Sequence, residues 1–175
     1  YLVGYVGVMG KQEGIDLLLQ AAQHLVRNMG RQDIHFGLVG GGTSLEEMKE
    51  YARALDIADY VTFTGRVPDQ EMLEMLNTAD VCVNPDVANE MNDKSTMNKI
   101  MEYMALGKPI VQFDLAEGRF SAQEASLYAK KNDAADMAAQ IARLVDDPAL
   151  REQMGRFGRA RVENELEWKY EAPKL

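Results

Sequence analysis

Tyr1-Leu2-Val3-Gly4-Tyr5-Val6-Gly7-Val8-Met9-Gly10-Lys11-Gln12-Glu13-Gly14-Ile15-Asp16-Leu17-Leu18-Leu19 is the stretch from which the fold is read. Its first eight residues are apolar and β-prone, and the run stops at Gly7-Val8-Met9-Gly10. From Ile15 the apolar residues fall at Leu18, Leu19, Ala22, Leu25, Val26 and Met29, a helical spacing that Gly30 ends. Strand, glycine-rich loop and helix thus follow one another within thirty residues.

The same unit recurs outward from there. Ile34 to Val39 reads as a second strand, closed by Gly40-Gly41-Gly42, with a helix from Thr43-Ser44 to about Asp56. Tyr60 to Thr64 is a third strand, followed by a short helix from Pro68 through Leu76. Ala79 to Val83 is a fourth, Pro109 to Phe113 a fifth and Ala125 to Ala129 a sixth. Helices are expected over Thr96 to Leu106, Asp133 to Val145 and Pro148 to about Glu165, before a polar end carrying Trp168 and Tyr170. This alternation predicts one α/β domain over residues 1–175, three-layered and Rossmann-like. Its sheet should be mostly parallel, with about six strands and helices on both faces. Ligands of such sheets bind beyond the carboxyl ends of the strands, where strand order reverses.

Composition narrows the function classes. A net charge of −9 argues against nucleic acid and anionic membrane as general partners. Backbone amides at a helix start can still bind an anionic small ligand locally. Cys82 is the only cysteine and lies within Val81-Cys82-Val83, so it reads as a buried strand thiol rather than a disulfide or metal ligand. No apolar stretch is long enough to span a bilayer. The chain opens mid-pattern without Met, as an excised domain would.

Gly10 and its neighbours form a loop that lets a ligand approach the backbone before a helix start. The spacing is not that of the dinucleotide fingerprint, and the second strand ends in glycines rather than in an acidic residue. The richer stretch is Asn92-Asp93-Lys94-Ser95-Thr96-Met97-Asn98-Lys99-Ile100-Met101-Glu102-Tyr103-Met104-Ala105-Leu106-Gly107-Lys108-Pro109. Ser95 or Thr96 is expected to cap its helix. The amides of Thr96, Met97 and Asn98 would then meet a phosphate, with Lys99 adding positive charge. Glu102 either accepts hydrogen bonds from a ribose diol or sits on a solvated face, paired with Lys99. Met101, Met104 and Ala105 read as core, and Met9, Met91 and Met97 are candidates to line a pocket. His24 and His35 lack metal-ligand partners, and no metal site is expected.

Glu102-Tyr103-Met104-Ala105-Leu106-Gly107-Lys108-Pro109-Ile110-Val111 closely resembles the donor-site signature of family 4 retaining glycosyltransferases of the GT-B fold. Tyr5-Val6-Gly7, Leu38-Val39-Gly40-Gly41-Gly42, Val61-Thr62-Phe63-Thr64-Gly65-Arg66-Val67-Pro68 and Ala79-Asp80-Val81-Cys82-Val83-Asn84-Pro85 resemble the family's other segments in order. The resemblance implies a donor domain for a UDP-, GDP- or ADP-sugar, with no cofactor and no metal. An N-terminal domain of the same enzyme would hold the acceptor. It further implies a cytoplasmic enzyme, associated with the inner face of the membrane through that other domain. Residue by residue, it implies Glu102 at the donor ribose, Thr96, Met97, Asn98 and Lys99 at the phosphate, Arg66 and Val67 at the base, and Gly10 facing the diphosphate. A non-catalytic nucleotide-sugar module and a sugar-nucleotide epimerase are the alternatives.

The chain departs from the family pattern where charge matters. Eight positions before Glu102, where the first glutamate of a pair is expected, stands Lys94; Glu90 is too early. Val8 and Glu13 occupy the places of the usual arginine and lysine that neutralise a leaving diphosphate. Lys11, Lys94 and Lys99 are the expected substitutes.

Overall fold

The computed structural model describes residues 1–172. Six strands alternate with helices: β1 (Leu2–Val6), α1 (Ile15–Gln23), β2 (His35–Val39), α2 (Leu45–Ala54), β3 (Val61–Gly65), α3 (Asp69–Thr78) and β4 (Val81–Asn84). There follow α4 (Asn98–Ala105), β5 (Ile110–Phe113), α5 (Ala116–Ala122), β6 (Ser126–Ala129), α6 (Ala134–Asp146), α7 (Pro148–Arg161) and α8 (Trp168–Glu171). All five strand pairings are parallel, in the order β3-β2-β1-β4-β5-β6. The expected Rossmann-like architecture is therefore present.

Burial follows from sheet position. The inner strands β4 and β5 are buried along their whole length, while the edge strand β3 alternates buried and open residues. On one face α1, α2 and α6 pack around Leu18, Leu25, Phe36, Leu38 and Ile141. On the other, α3, α4 and α7 enclose Leu76, Cys82, Ile100, Tyr103 and Met104. Cys82 is buried as expected, and burial pushes its thiol up to about 12.

Strand order reverses between β1 and β4, which pair at Val3–Val81 and Gly4–Cys82 and then part. Tyr103, fully buried, bridges the opening. Its hydroxyl accepts from the Val6 amide at 3.0 Å and donates to the Val83 carbonyl at 3.2 Å. The Val6 amide and the Val83 carbonyl, where the strands part, thus keep a partner.

Several boundaries move, each for a local reason. The first helix passes into a wider turn at His24–Asn28, where the Met29 amide reaches back to the His24 carbonyl. Asp56, at φ 55°, lies beyond the end of α2, and Arg27 holds its carbonyl. Ser44 precedes α2 without capping it through its side chain. Trp168 and Tyr170, in the polar end of the chain, lie on the short α8. Of the three pocket-lining candidates, Met9 is fully buried core, so it is packing and not pocket; Met91 is exposed and Met97 half-buried. Ala105, expected in the core, is exposed.

Candidate functional site

The loop after β1 is stitched to both flanks of the switch point. On the β2 side the Met9 amide donates to Gly41, and the Ser44 amide donates to Met9. On the β4 side the Gln12 carbonyl accepts from the Val87 amide at 2.9 Å and from Asn92 Nδ2 at 3.1 Å. Two glycines make this possible. Gly14 adopts φ 61° with its Cα against the Pro85 carbonyl, and Gly40 adopts φ 132° against the Gly7 carbonyl; a Cβ at either would collide with backbone. For the loop after β1 the sequence leaves both a ligand cradle and a tight turn open; Gly14, like Gly40 at the end of β2, serves chain-to-chain approach.

Helix α4 opens at this end of the sheet. The expected cap by Ser95 or Thr96 is not formed. Ser95 Oγ donates to the Met91 carbonyl at 2.7 Å, and Thr96 Oγ1 donates to Glu117 at 2.6 Å. The capping position falls to Met97, in extended backbone with no side-chain oxygen to offer. Among the described residues, the amides of Thr96, Met97, Asn98 and Lys99 donate to no protein acceptor. The helix therefore presents a row of unspent donors with the positive end of its dipole. Glu102, one turn on, is exposed, and its carboxylate has no partner among the described residues; it is not paired with Lys99.

Lys99 was expected as a cation for phosphate; in the structure its ammonium is engaged by Asp86. Its ammonium lies 2.8 and 2.9 Å from the two oxygens of Asp86 and 3.2 Å from Asn84 Oδ1. The Lys99 side chain is 13% exposed and that of Asp86 3%. The charge is neutralised in place. The Tyr5 ring lies 5.6 Å from the ammonium, and burial, with Asp86 and Glu13 nearby, pushes its phenol well above the ordinary range. Burial also raises the Asp86 carboxyl, against the downward pull of Lys99. Asp86 is a site-forming residue that sequence reasoning missed, and Asn84 and Asn92 stood in quoted segments without a role. The only signal was the polar run Asn84-Pro85-Asp86 ending an apolar strand.

Lys94 is exposed and paired with Glu90 at 2.8 Å, a surface ion pair worth little. Lys11 is exposed and makes no ion pair among the described residues. Gly10 has its amide taken by the Glu13 carboxylate at 3.1 Å. Arg66 is exposed and packs beside Gly41, while Val67 is half-buried. The loop after β1 thus sits between Arg66 on one flank and Lys99 on the other, the latter reached across Gly7. A cavity of about 600 Å³ lies between α1 and α2; it includes Gly10 and Lys11 and none of the other eight expected residues.

Among the described residues no group of three or more His, Cys, Asp or Glu is placed to hold a metal, and no helix is long and apolar enough to cross a membrane.

Comparison with known proteins joins the two lines of observation. The profile of the glycosyl transferases group 1 family matches residues 1–147. The chain is 27% identical over 155 residues to alpha-D-kanosaminyltransferase of Streptomyces kanamyceticus, covering 87% of this chain and 38% of that protein. It is 29% identical over 177 residues to D-inositol 3-phosphate glycosyltransferase of Thermomonospora curvata, covering 96% and 40% respectively. The chain therefore spans about two fifths of the length of these curated relatives. S. aureus TarM, solved in complex with UDP and other ligands, has the same fold, with a TM-score of 0.84 at 19% identity over 96% of this chain and 33% of that one. The match over residues 1–147 of the 175 places this chain in the glycosyl transferases group 1 family.

Proposed function

We propose that this chain is the donor-binding domain of a glycosyltransferase, taking a nucleoside diphosphate sugar whose glycosyl group passes to an acceptor held by another domain of the same enzyme. The observation that carries the reading is the start of α4, where four unspent amides stand one turn from a free carboxylate at the strand-order reversal. Donors in that array suit the oxygens of a phosphate, and Glu102 suits the paired hydroxyls of a ribose. Arg66 and Val67, on the far flank, would meet the base. The UDP bound by TarM, which shares the fold, supports a nucleotide in this cleft.

Charge development on the leaving diphosphate would be met by the α4 amides and Lys11, with Lys94 able to swing from its surface pair. The reading needs neither a resident cofactor nor a metal, and it suits a cytoplasmic enzyme that reaches a membrane face through its other domain. A non-catalytic module is favoured by one observation, the occupation of the Gly10 amide by Glu13. Calorimetric titration of the chain with UDP, GDP and ADP tests the proposal. Saturable binding of one of them is expected, with negligible glycosyl transfer by this domain alone; silence from all three would refute it.

A further inference from the structure

Glu117 brings a carboxylate to the start of α4 from a different element. It lies in the first turn of α5 and is half-buried. Thr96 Oγ1 donates to its Oε1 at 2.6 Å, and Thr96 also supplies the first of the four unspent amides. Only three covalent bonds separate that amide nitrogen from Oγ1, so the carboxylate stands within about 6 Å of the amide.

The neighbouring cations are committed elsewhere. Arg119 binds Asp114 at 2.7 Å and covers the Tyr128 ring, Lys131 binds Asp93 at 3.2 Å, and Lys94 binds Glu90. Glu117 forms no ion pair among the described residues. Its position is nonetheless fixed. Asp93 accepts from the Ala116 amide at 3.0 Å, and the fully buried Gln112 lies so close to Gly118 that a Cβ there would collide with it.

A carboxylate in that place repels a phosphate, yet it offers about four acceptor positions, of which Thr96 fills one. A neutral group rich in hydroxyls and covalently joined to the phosphate satisfies both conditions. We infer that Glu117 accepts hydrogen bonds from ring hydroxyls of the glycosyl group that the donor carries. The ring is attached to the terminal phosphate through one oxygen, so its hydroxyls lie on the scale of the gap between the Thr96 amide and Glu117. Glu117 thereby favours a nucleotide bearing a ring with free hydroxyls over the bare diphosphate. The inference rests on the donor reading and adds to it the side chain that meets the sugar.

Calorimetric titration of the chain and of Glu117→Gln with UDP, GDP and ADP, each beside UDP-glucose, GDP-mannose or ADP-glucose, tests this. Glutamine keeps the shape of the side chain and an oxygen for Thr96, so the fold is retained. For the nucleotide that binds, the variant should weaken the glycosylated form by about five- to ten-fold. The bare diphosphate should bind unchanged, or up to about three-fold tighter as a negative charge is lost. Equal weakening of both forms, no change in either, or binding of bare diphosphates alone would overturn the inference and leave the donor reading standing. Silence of the unaltered chain toward all six compounds would overturn both.

Discussion

Lys99 and Asp86 form a closed ion pair, 2.8 Å from nitrogen to oxygen, that pins the first turn of α4 to the end of β4. Because the pair is almost dry, removing one partner strands the other. Lys99→Met should destabilise the fold by about 3–5 kcal/mol in urea denaturation, and Lys99→Met/Asp86→Asn should recover most of that. The pH dependence has a definite sign. Burial already raises the folded-state Asp86 carboxyl, and losing Lys99 removes the opposing pull. A raised folded pKa means a contribution present in full below the unfolded carboxylate range and lost as pH rises through the folded value. The deficit of Lys99→Met should therefore shrink on acidification and be greatest at neutral pH.

Glu13 places its own carboxylate where an anionic ligand would find the Gly10 amide. Glu13→Gln keeps an acceptor while removing the charge that repels a phosphate. We expect nucleotide affinity to rise by about two- to ten-fold in calorimetry, on the scale of one charge-assisted hydrogen bond. Unchanged or weaker binding would show that this contact does not compete with the ligand.

Glu102 offers a cleaner separation of binding from stability. It is exposed and unpartnered among the described residues, so Glu102→Ala should alter folding stability by less than about 0.5 kcal/mol. Nucleotide binding should nonetheless fall by about ten-fold, the loss of charged hydrogen bonds to a ribose. A 2′,3′-dideoxynucleotide should bind equally weakly to both forms.

Gly14 joins two loops by having no side chain. With φ 61° and the Pro85 carbonyl against its Cα, Gly14→Ala should cost roughly 1–3 kcal/mol or more in denaturant. Amide exchange should quicken at Val87, whose hydrogen bond to Gln12 depends on that approach.

Legibility in the sequence divided along physical lines. The strands and helices were readable because burial on two faces leaves β4 and β5 as continuous apolar runs and α1 as a helical stripe. The start of α4 was read two residues early. Ser95 and Thr96 are good caps in isolation, but tertiary partners, Met91 and Glu117, claim their hydroxyls. That same diversion leaves the amides of Thr96 to Lys99 unspent. Lys99 looked available because its partner lies 13 positions away on another loop, and charge pairing across loops leaves no local trace.

The most direct test is an amide-resolved NMR titration of this chain with UDP, GDP and ADP, read at Thr96, Met97, Asn98 and Lys99. With one of these nucleotides we expect saturable shifts at those four amides and at Gly10, abolished for the ribose-facing part by Glu102→Ala. Saturable binding that leaves residues 96–99 unmoved, or no binding of any of the three, would contradict the assignment of this helix start as the donor site.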